Sequence, residues 1–442
     1  MLDINFIREN QERVKESIKN RGKVDIDIDE LLKIDETRRG LILDRDSLRA
    51  QKNKISEEVS QKQILPVGRQ DDERDKAIVE ASEIKEKLKV VETNLNKVEE
   101  EFKDKVLLVP NVTSPKMPVG KDESENVVLR KWGEPKKFDF EIKDHVDLGK
   151  SLDIIDIEKA TEVSGSRFYY LKNDAVLLQF ALINFVIKTL INENILKDLA
   201  KKVGNPYFKA FVPVLPPVMI KPEVMKKMDR LDPIDERFEL KKDPLILVGS
   251  AEHTLGPYHM NEILDKKVLP IRYIGYSTSF RREAGSYGKD TRGIIRVHQF
   301  DKLEMETLVP KEFGEVEQDF IVSIQEYLVQ QLEIPYQVIQ ICTGDAGKPD
   351  YNQIDINCWI PSQNKYRETH TSDYMTNYQS RRLNTRYRDG NEVEYVHMND
   401  ATAFAIGRTL VAILENNQQK DGSVLIPKVL QEYVGKDIIK LK

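Results

Sequence analysis

The chain has 442 residues, with 69 Lys plus Arg against 75 Asp plus Glu and a formal net charge of −6, and it is 40% apolar and 33% charged. An apolar share of that size excludes a uniformly disordered chain, and the net acidity excludes a globally basic nucleic-acid coat while leaving room for a local basic patch. The length predicts two or three domains. Cys342 and Cys358 are too few for a disulfide framework or a CxxC-type metal site. Together with the acidic start Met1-Leu2-Asp3-Ile4, this predicts a cytoplasmic protein. The most apolar stretch, residues 175–187, is interrupted by Gln179 and Asn184 and is shorter than the roughly 20 residues that span a bilayer. It reads as a buried helix, with no membrane partner.

From about residue 28 to residue 108 the composition is that of long helices, rich in Lys, Glu, Leu and Ile with very few Gly or Pro. Ile34, Leu41, Leu48 and Ile55 recur every seven residues. Ala77, Ala81, Ile84, Leu88, Val91, Leu95, Val98 and Phe102 alternate spacings of four and three, a complete coiled-coil stripe. Pro66 and Gly68 break the run between them, which predicts an antiparallel helical hairpin. With roughly 35 residues per helix it would project about 50 Å from whatever carries it. Residues 38–69 hold eight Lys or Arg (among them Arg38, Arg45, Arg49, Lys52, Lys62 and Arg69) against four Asp or Glu. That basic half suits a phosphate backbone, and a salt-bridged solvated coiled coil would carry the same charges.

After Val109-Pro110-Asn111 comes a loop with Pro115, Pro118 and Gly120, and Asp144-His145-Val146-Asp147-Leu148-Gly149 marks the start of a second folded body. The division expected is 1–110 for the helical domain and 111–442 for the remainder. Helical segments at 174–192 and 310–332 alternate there with strand-like runs at 245–248, 271–276, 336–341 and 354–359, which predicts an α+β domain with a mainly antiparallel sheet. No GxGxxG or GxxxxGK[ST] loop is present. A nucleotide would therefore need other chemistry to hold it.

Two segments offer that chemistry. In Phe280-Arg281-Arg282-Glu283 an Arg leaves a strand, a loop with Gly285, Gly288 and Gly293 follows, and a strand returns to Phe300. This is a hairpin with a cationic tip able to clamp a triphosphate. Ala403-Phe404-Ala405-Ile406-Gly407-Arg408 places a second Arg on a helix among small residues that admit a ligand. Arginines as surface groups or structural ion pairs are the plain alternative.

Phe280 to Glu283 resembles motif 2 of class II aminoacyl-tRNA synthetases, Gly407-Arg408 resembles motif 3, and Pro216 or Pro217 stands as the motif 1 proline. Within that class the chain resembles seryl-tRNA synthetases over nearly its whole length, from Met1-Leu2-Asp3-Ile4 through Gly285-Ser286-Tyr287-Gly288 and Gln379-Ser380-Arg381-Arg382 to Asp421-Gly422-Ser423. The resemblance implies an N-terminal tRNA-binding arm on a class II catalytic domain that joins serine to tRNA(Ser), and possible service to tRNA(Sec), as a homodimer using ATP and Mg2+, with no DNA partner. It implies that Arg281 bridges the α-phosphate and the amino-acid carboxylate, and that Arg408 holds the γ-phosphate. Arg282, Glu283, Val297, Phe300, Glu368, Thr369, His370 and Thr371 would complete the ATP site, Glu368 and Thr371 doubling as Mg2+ ligands. Ser250, Ala251, Glu252, Arg281, Glu304 and Thr402 would surround serine. Arg38, Arg45, Arg49, Lys52 and Lys62 would meet tRNA.

The chain departs from the family's usual residues near the amino acid. Ser250 stands for Thr, Thr402 for Ser within Asp400-Ala401-Thr402-Ala403, His253-Thr254 for Val-Pro, and Thr369-His370 for Val-Ser. The six histidines form no metal spacing, so structural or hydrogen-bonding roles are expected of them and zinc is not. Two rival readings remain: an amino acid:carrier-protein ligase, which should lack the helical arm, and a non-catalytic tRNA-binding or regulatory paralogue, which should lack a motif arginine.

Overall fold

The computed structural model describes residues 1–22, 24–62, 71–284 and 292–440. The turn expected around Pro66 and Gly68, Arg69, the side chain of Lys62, and Gly285 to Thr291 of the motif 2 loop lie outside the described residues. Contacts divide the chain into two units, Met1–Pro110 and Asn111–Lys442.

In the first unit, helix α1 (Ile28–Lys62) and helix α2 (Asp71–Leu108) pack against each other. Glu30 meets Lys105 at 2.7 Å and Arg49 meets Glu92 at 2.7 Å, so the numbering rises along one helix as it falls along the other and the pair is antiparallel. The heptad positions form the seam: Ile55, Ile84, Leu88 and Leu95 are buried, and Ile34, Leu41, Leu48, Val91 and Val98 are half-buried. Beneath the seam's base lies Asp35, fully buried, with ion pairs to Arg8 at 3.4 Å, Arg38 at 3.0 Å and Arg39 at 3.3 Å. Arg38 also lies 4.6 Å from the Phe102 ring centre. Its guanidinium is thus engaged twice inside the unit.

The second unit is built on an eight-stranded sheet. In chain order its strands are β1 (Val127–Trp132), β2 (Val212–Val214), β3 (Ile271–Phe280), β4 (Gln299–Val309), β5 (Tyr336–Gln340), β6 (Asn352–Ile360), β7 (Lys365–Thr376) and β8 (His397–Ala405). Their order across the sheet is β1-β5-β6-β7-β8-β4-β3-β2. Every pairing is antiparallel except β2 with β3, where Val212 to Val214 run alongside Tyr273 to Gly275. The expected strand near residue 245 shrinks to Ile246–Leu247, paired with Met219–Ile220 outside the main sheet.

Helices α3 (Asn173–Leu190), α4 (Gly314–Gln331) and α5 (Ile406–Asn416) share one large core with the sheet. By length and composition α3 is apolar enough to cross a membrane, and half of it is buried in that core through Leu178, Leu182, Phe185 and Val186. On α4, Glu317 is fully buried against Arg272 of β3, with Nε–Oε1 and Nη2–Oε2 distances of 2.7 Å each. The remaining Arg272 donors reach the Lys209 and Tyr207 carbonyls. A pair so enclosed is worth most when intact, because removing one partner strands the other charge away from water. Glu317→Ala is expected to lower unfolding stability by about 3–5 kcal/mol, read from the urea midpoint; a loss below about 1 kcal/mol would show that the charge finds solvent.

Candidate active site

The strands β7 and β8 pair from Thr376 with Met398 up to Ser372 with Ala401, and no pairing is recorded beyond that point. There the ladder ends with the Thr371 and Thr402 hydroxyls 3.3 Å apart, and the carbonyls of both residues accept from the Gln325 side-chain amide of α4, at 2.8 Å each. The helix beneath thus satisfies backbone beyond the ladder's end.

Two bulges decide which side chains share a face there. Strand residues an odd number apart ordinarily face opposite sides of a sheet. The register between β6 and β7 shifts at Thr369, between the pairs Ile356 with His370 and Asn357 with Glu368, which returns Glu368 to the face of Thr371 and Asp373. A matching shift at Ala403 brings Thr402 and Ala405 to one face and turns Phe404 into the core. His370 faces inward too, 5.5 Å from the Phe404 ring, with Nδ1 2.7 Å from Thr369 Oγ1. Burial pushes its imidazole down to about 3, so it stays neutral.

The result is a cavity of about 210 Å³ lined by Arg281, Arg408, Glu283, Val297, Phe300, Glu368, Thr369, Thr371, Glu252 and Thr402, and also by Arg230, Arg296, Lys302 and Asp373. The two guanidinium groups that lie far apart in sequence line the same cavity. Arg281 donates from Nε to the Gly249 carbonyl at 3.2 Å and lies 5.4 Å from the Phe300 ring centre. Arg408 donates to the Glu368 carbonyl at 2.9 Å and to its Oε1 at 2.8 Å. Partial burial works against the Glu368 charge, but Arg408 holds the carboxyl below its ordinary range. The small residue before Arg408 has a use the sequence did not reveal: a Cβ on Gly407 would stand 3.1 Å from the Ile294 carbonyl, so the glycine admits the motif 2 loop itself.

Ser250, Ala251 and Glu304 do not reach the cavity wall. All three are buried, and two of them lie one contact behind it: Lys302 Nζ donates to Ser250 Oγ at 3.1 Å and lies 2.6 Å from Glu304 Oε2. Burial pushes the Glu304 carboxyl up to about 7 in spite of Lys302, with Glu252 adding to the rise. Burial also opposes the charge on Glu252, but Arg230, Lys302, His253 and Arg281 together hold that carboxyl well below the usual range. Arg282 points elsewhere, 5.9 Å from the Phe238 ring centre.

Arg230 is the largest omission from the sequence reading. It lies 3.5 Å from Glu252, 3.6 Å from Asp350 and Asp373, and 3.3 Å from Asp400, four carboxylates far apart along the chain. Nothing in the sequence around it signals that convergence. Lys302 was within reach of inference, because it stands two residues before Glu304 on one strand. Arg296 pairs with Glu283 at 2.7 Å.

The first unit matches the family model of the seryl-tRNA synthetase N-terminal domain over residues 1–113, and the second matches the class II tRNA synthetase core domain (G, H, P, S and T) over residues 237–417. The chain is 43% identical to a serine–tRNA ligase of Dictyoglomus turgidum, with 100% of both chains covered. The chain belongs to the seryl-tRNA synthetase family. A serine–tRNA ligase of Thermodesulfovibrio yellowstonii is 39% identical over 100% of both chains. Two solved structures are also similar: the seryl-tRNA synthetase of Pyrococcus horikoshii complexed with ATP, with a TM-score of 0.88, 36% identity and full coverage of both chains, and the cytoplasmic serine–tRNA ligase of Naegleria fowleri in complex with AMP, with a TM-score of 0.84, 31% identity and coverage of 100% and 99%.

Proposed function

We infer that the chain joins serine to tRNA(Ser) in two steps. The serine carboxylate attacks the α-phosphorus of ATP to give seryl adenylate and pyrophosphate, and the terminal ribose hydroxyl of the tRNA then attacks the adenylate carbonyl. The observation that carries this reading is the convergence of Arg281 and Arg408 on one cavity that also holds Glu252 and Thr402.

No residue need form a covalent bond with the substrate, so rate comes from positioning and charge neutralisation. Arg281 would bridge the α-phosphate and the serine carboxylate, where negative charge gathers as phosphorus is attacked. Arg408 would take the γ-phosphate, exchanging its contact with Glu368 for one with ATP. Phe300 and Val297 offer an apolar seat for adenine with Glu283 beside it, whereas Arg282, turned toward Phe238, stands outside the cavity. The side chains of Thr369 and His370 turn inward, so only their backbone remains for the nucleotide. Glu368, kept ionised, and the Thr371 hydroxyl share a face and are hard oxygen donors, which fits Mg2+. Bound there, Mg2+ would neutralise phosphate charge.

On the amino-acid side, Glu252 would pair with the serine ammonium and Thr402 would meet the hydroxyl, with Glu304 and Ser250 acting from behind the wall, where Lys302 holds them. Such a site rejects alanine, because its own polar groups would be left unpaired. Arg45, Arg49 and Lys52 on α1 remain as candidates for tRNA phosphates, Arg45 and Arg49 sharing their charge with Asp46 and Glu92. Arg38 serves the hairpin instead. A homodimer about the motif 1 segment, a cytoplasmic location and charging of tRNA(Sec) complete the proposal.

ATP–pyrophosphate exchange with each amino acid in turn tests it. Serine alone should support exchange. Exchange with alanine or threonine but not serine would refute the substrate, and none with any amino acid would leave only a silent tRNA-binding protein.

A pH dependence follows from Glu304. Its ordinary carboxyl range is near 4.5 and the free protein holds it near 7, so it carries a proton over part of the working range. An ammonium bound at Glu252, whose charge helps to raise Glu304, favours the ionised form of the buried carboxyl, so binding must expel that proton. Serine affinity is therefore expected to strengthen as pH rises through 6 to 7 and to level off above, with KM for serine about tenfold higher at pH 6 than at pH 8. Calorimetry in buffers of different ionisation enthalpy should report proton release; a KM that does not change with pH refutes this role.

A further inference from the structure

We propose that His253 is a positioning residue that ties the two halves of the site together, steadying Glu252 on the amino-acid side and, through the Gly249 peptide, Arg281 on the phosphate side. It lies on the one-turn helix Glu252–Leu255 and is 3% exposed. Its Nδ1 accepts the Gly249 N–H at 3.1 Å. The carbonyl on the other side of Gly249 accepts from Arg281 Nε at 3.2 Å. A ring nitrogen that accepts carries no proton, so the imidazole's single proton sits on Nε2, which lies 3.5 Å from Glu252 Oε1. Four residues thus form a chain: Arg281, Gly249, His253, Glu252.

Two features keep that chain from slackening. Burial pushes the imidazole down to about 3, with Arg237, Arg230 and Arg281 opposing a second proton and Glu252 only partly offsetting them, so one tautomer serves across the working pH range. Gly249 has no room to slide, since a Cβ there would stand 3.0 Å from Arg237 Nη1 and 3.3 Å from the His253 ring. A valine at this position could neither accept the Gly249 N–H nor set a polar N–H 3.5 Å from Glu252. This chain therefore holds its arginine and glutamate through a polar link that a valine would leave to packing.

The inference rests on the proposed serine and ATP sites, and two variants separate the two ends of the link. His253→Asn keeps an acceptor where Nδ1 stands and loses the Nε2 proton; KM for serine is expected to rise about fivefold to tenfold with kcat of exchange near that of the unaltered chain. His253→Gln places its amide near Nε2 and loses the Nδ1 acceptor; kcat is expected to fall about tenfold with KM for serine nearly unchanged. Thermal melts accompany both, so that loss of fold is recognised. Equal losses in both parameters from both variants, or a His253→Val chain with unaltered kinetics, would mean that the ring merely fills space. The 15N shifts of the imidazole supply a readout that does not depend on which amino acid is activated. An Nε2–H tautomer in the free protein supports the link, and an Nδ1–H or doubly protonated ring overturns it even if the functional reading stands.

Discussion

Replacing Arg281 with alanine should abolish adenylate formation, lowering ATP–pyrophosphate exchange by about a thousandfold or more, or about 4 kcal/mol of transition-state stabilisation. A preorganised donor aimed at charge that develops only as phosphorus is attacked contributes chiefly to kcat. The fold should survive the change. Among the described residues the Arg281 side chain makes one hydrogen bond to a backbone carbonyl and one contact with the Phe300 ring, and it is only half-buried. Its charge also pushes down the neighbouring Arg237, after burial, so its removal relieves a repulsion. Arg281→Lys should recover little, because an ammonium cannot span phosphate and carboxylate as a planar fork does. Near-normal exchange by the alanine variant, with its melting temperature preserved, would refute the role assigned to this residue.

The long hairpin was legible because its information is local. A heptad stripe states which face of each helix is buried, and Ile55, Ile84, Leu88 and Leu95 are buried as the spacing requires. The arginines were legible as chemistry, but their meeting was not, since it depends on β3, β4, β7 and β8 lying side by side. Glu368 and Thr371 show the limit most clearly. Three positions apart on a strand, they belong on opposite faces, and only the bulge at Thr369 puts them on one. A bulge is a property of two strands in register, and a single sequence does not contain it. Arg38 is a different case. Counting charges over residues 38–69 treated it as available to phosphate, although Asp35, one helical turn before it, already offered a partner. Net charge over a window is a sound guide to a field and a poor guide to which guanidinium is free.

Removing the outer part of the hairpin should separate the two reactions. Arg49 and Glu92 face each other across the seam, so deleting residues 49–92 and joining Leu48 to Thr93 by a short turn closes the helices where they already meet. The pair Glu30 with Lys105 and the Asp35 cluster remain to hold the stump. Every residue of the cavity lies between 230 and 408, so exchange with serine should stay within about twofold of the intact chain. Charging of tRNA should fall on the order of a hundredfold, because Arg49, Lys52 and Lys62 are lost together and each phosphate contact adds to a counterion-driven affinity. The intact chain's KM for tRNA should accordingly rise steeply with salt, and the shortened chain's should rise less. The outer hairpin would read its partner by shape and backbone, since base edges in A-form RNA are poorly accessible to side chains. Replacing only Arg49 and Lys52 with alanine should give an intermediate loss. If the shortened chain charges tRNA at the original rate, the basic residues of α1 are solvated surface and the tRNA is held elsewhere.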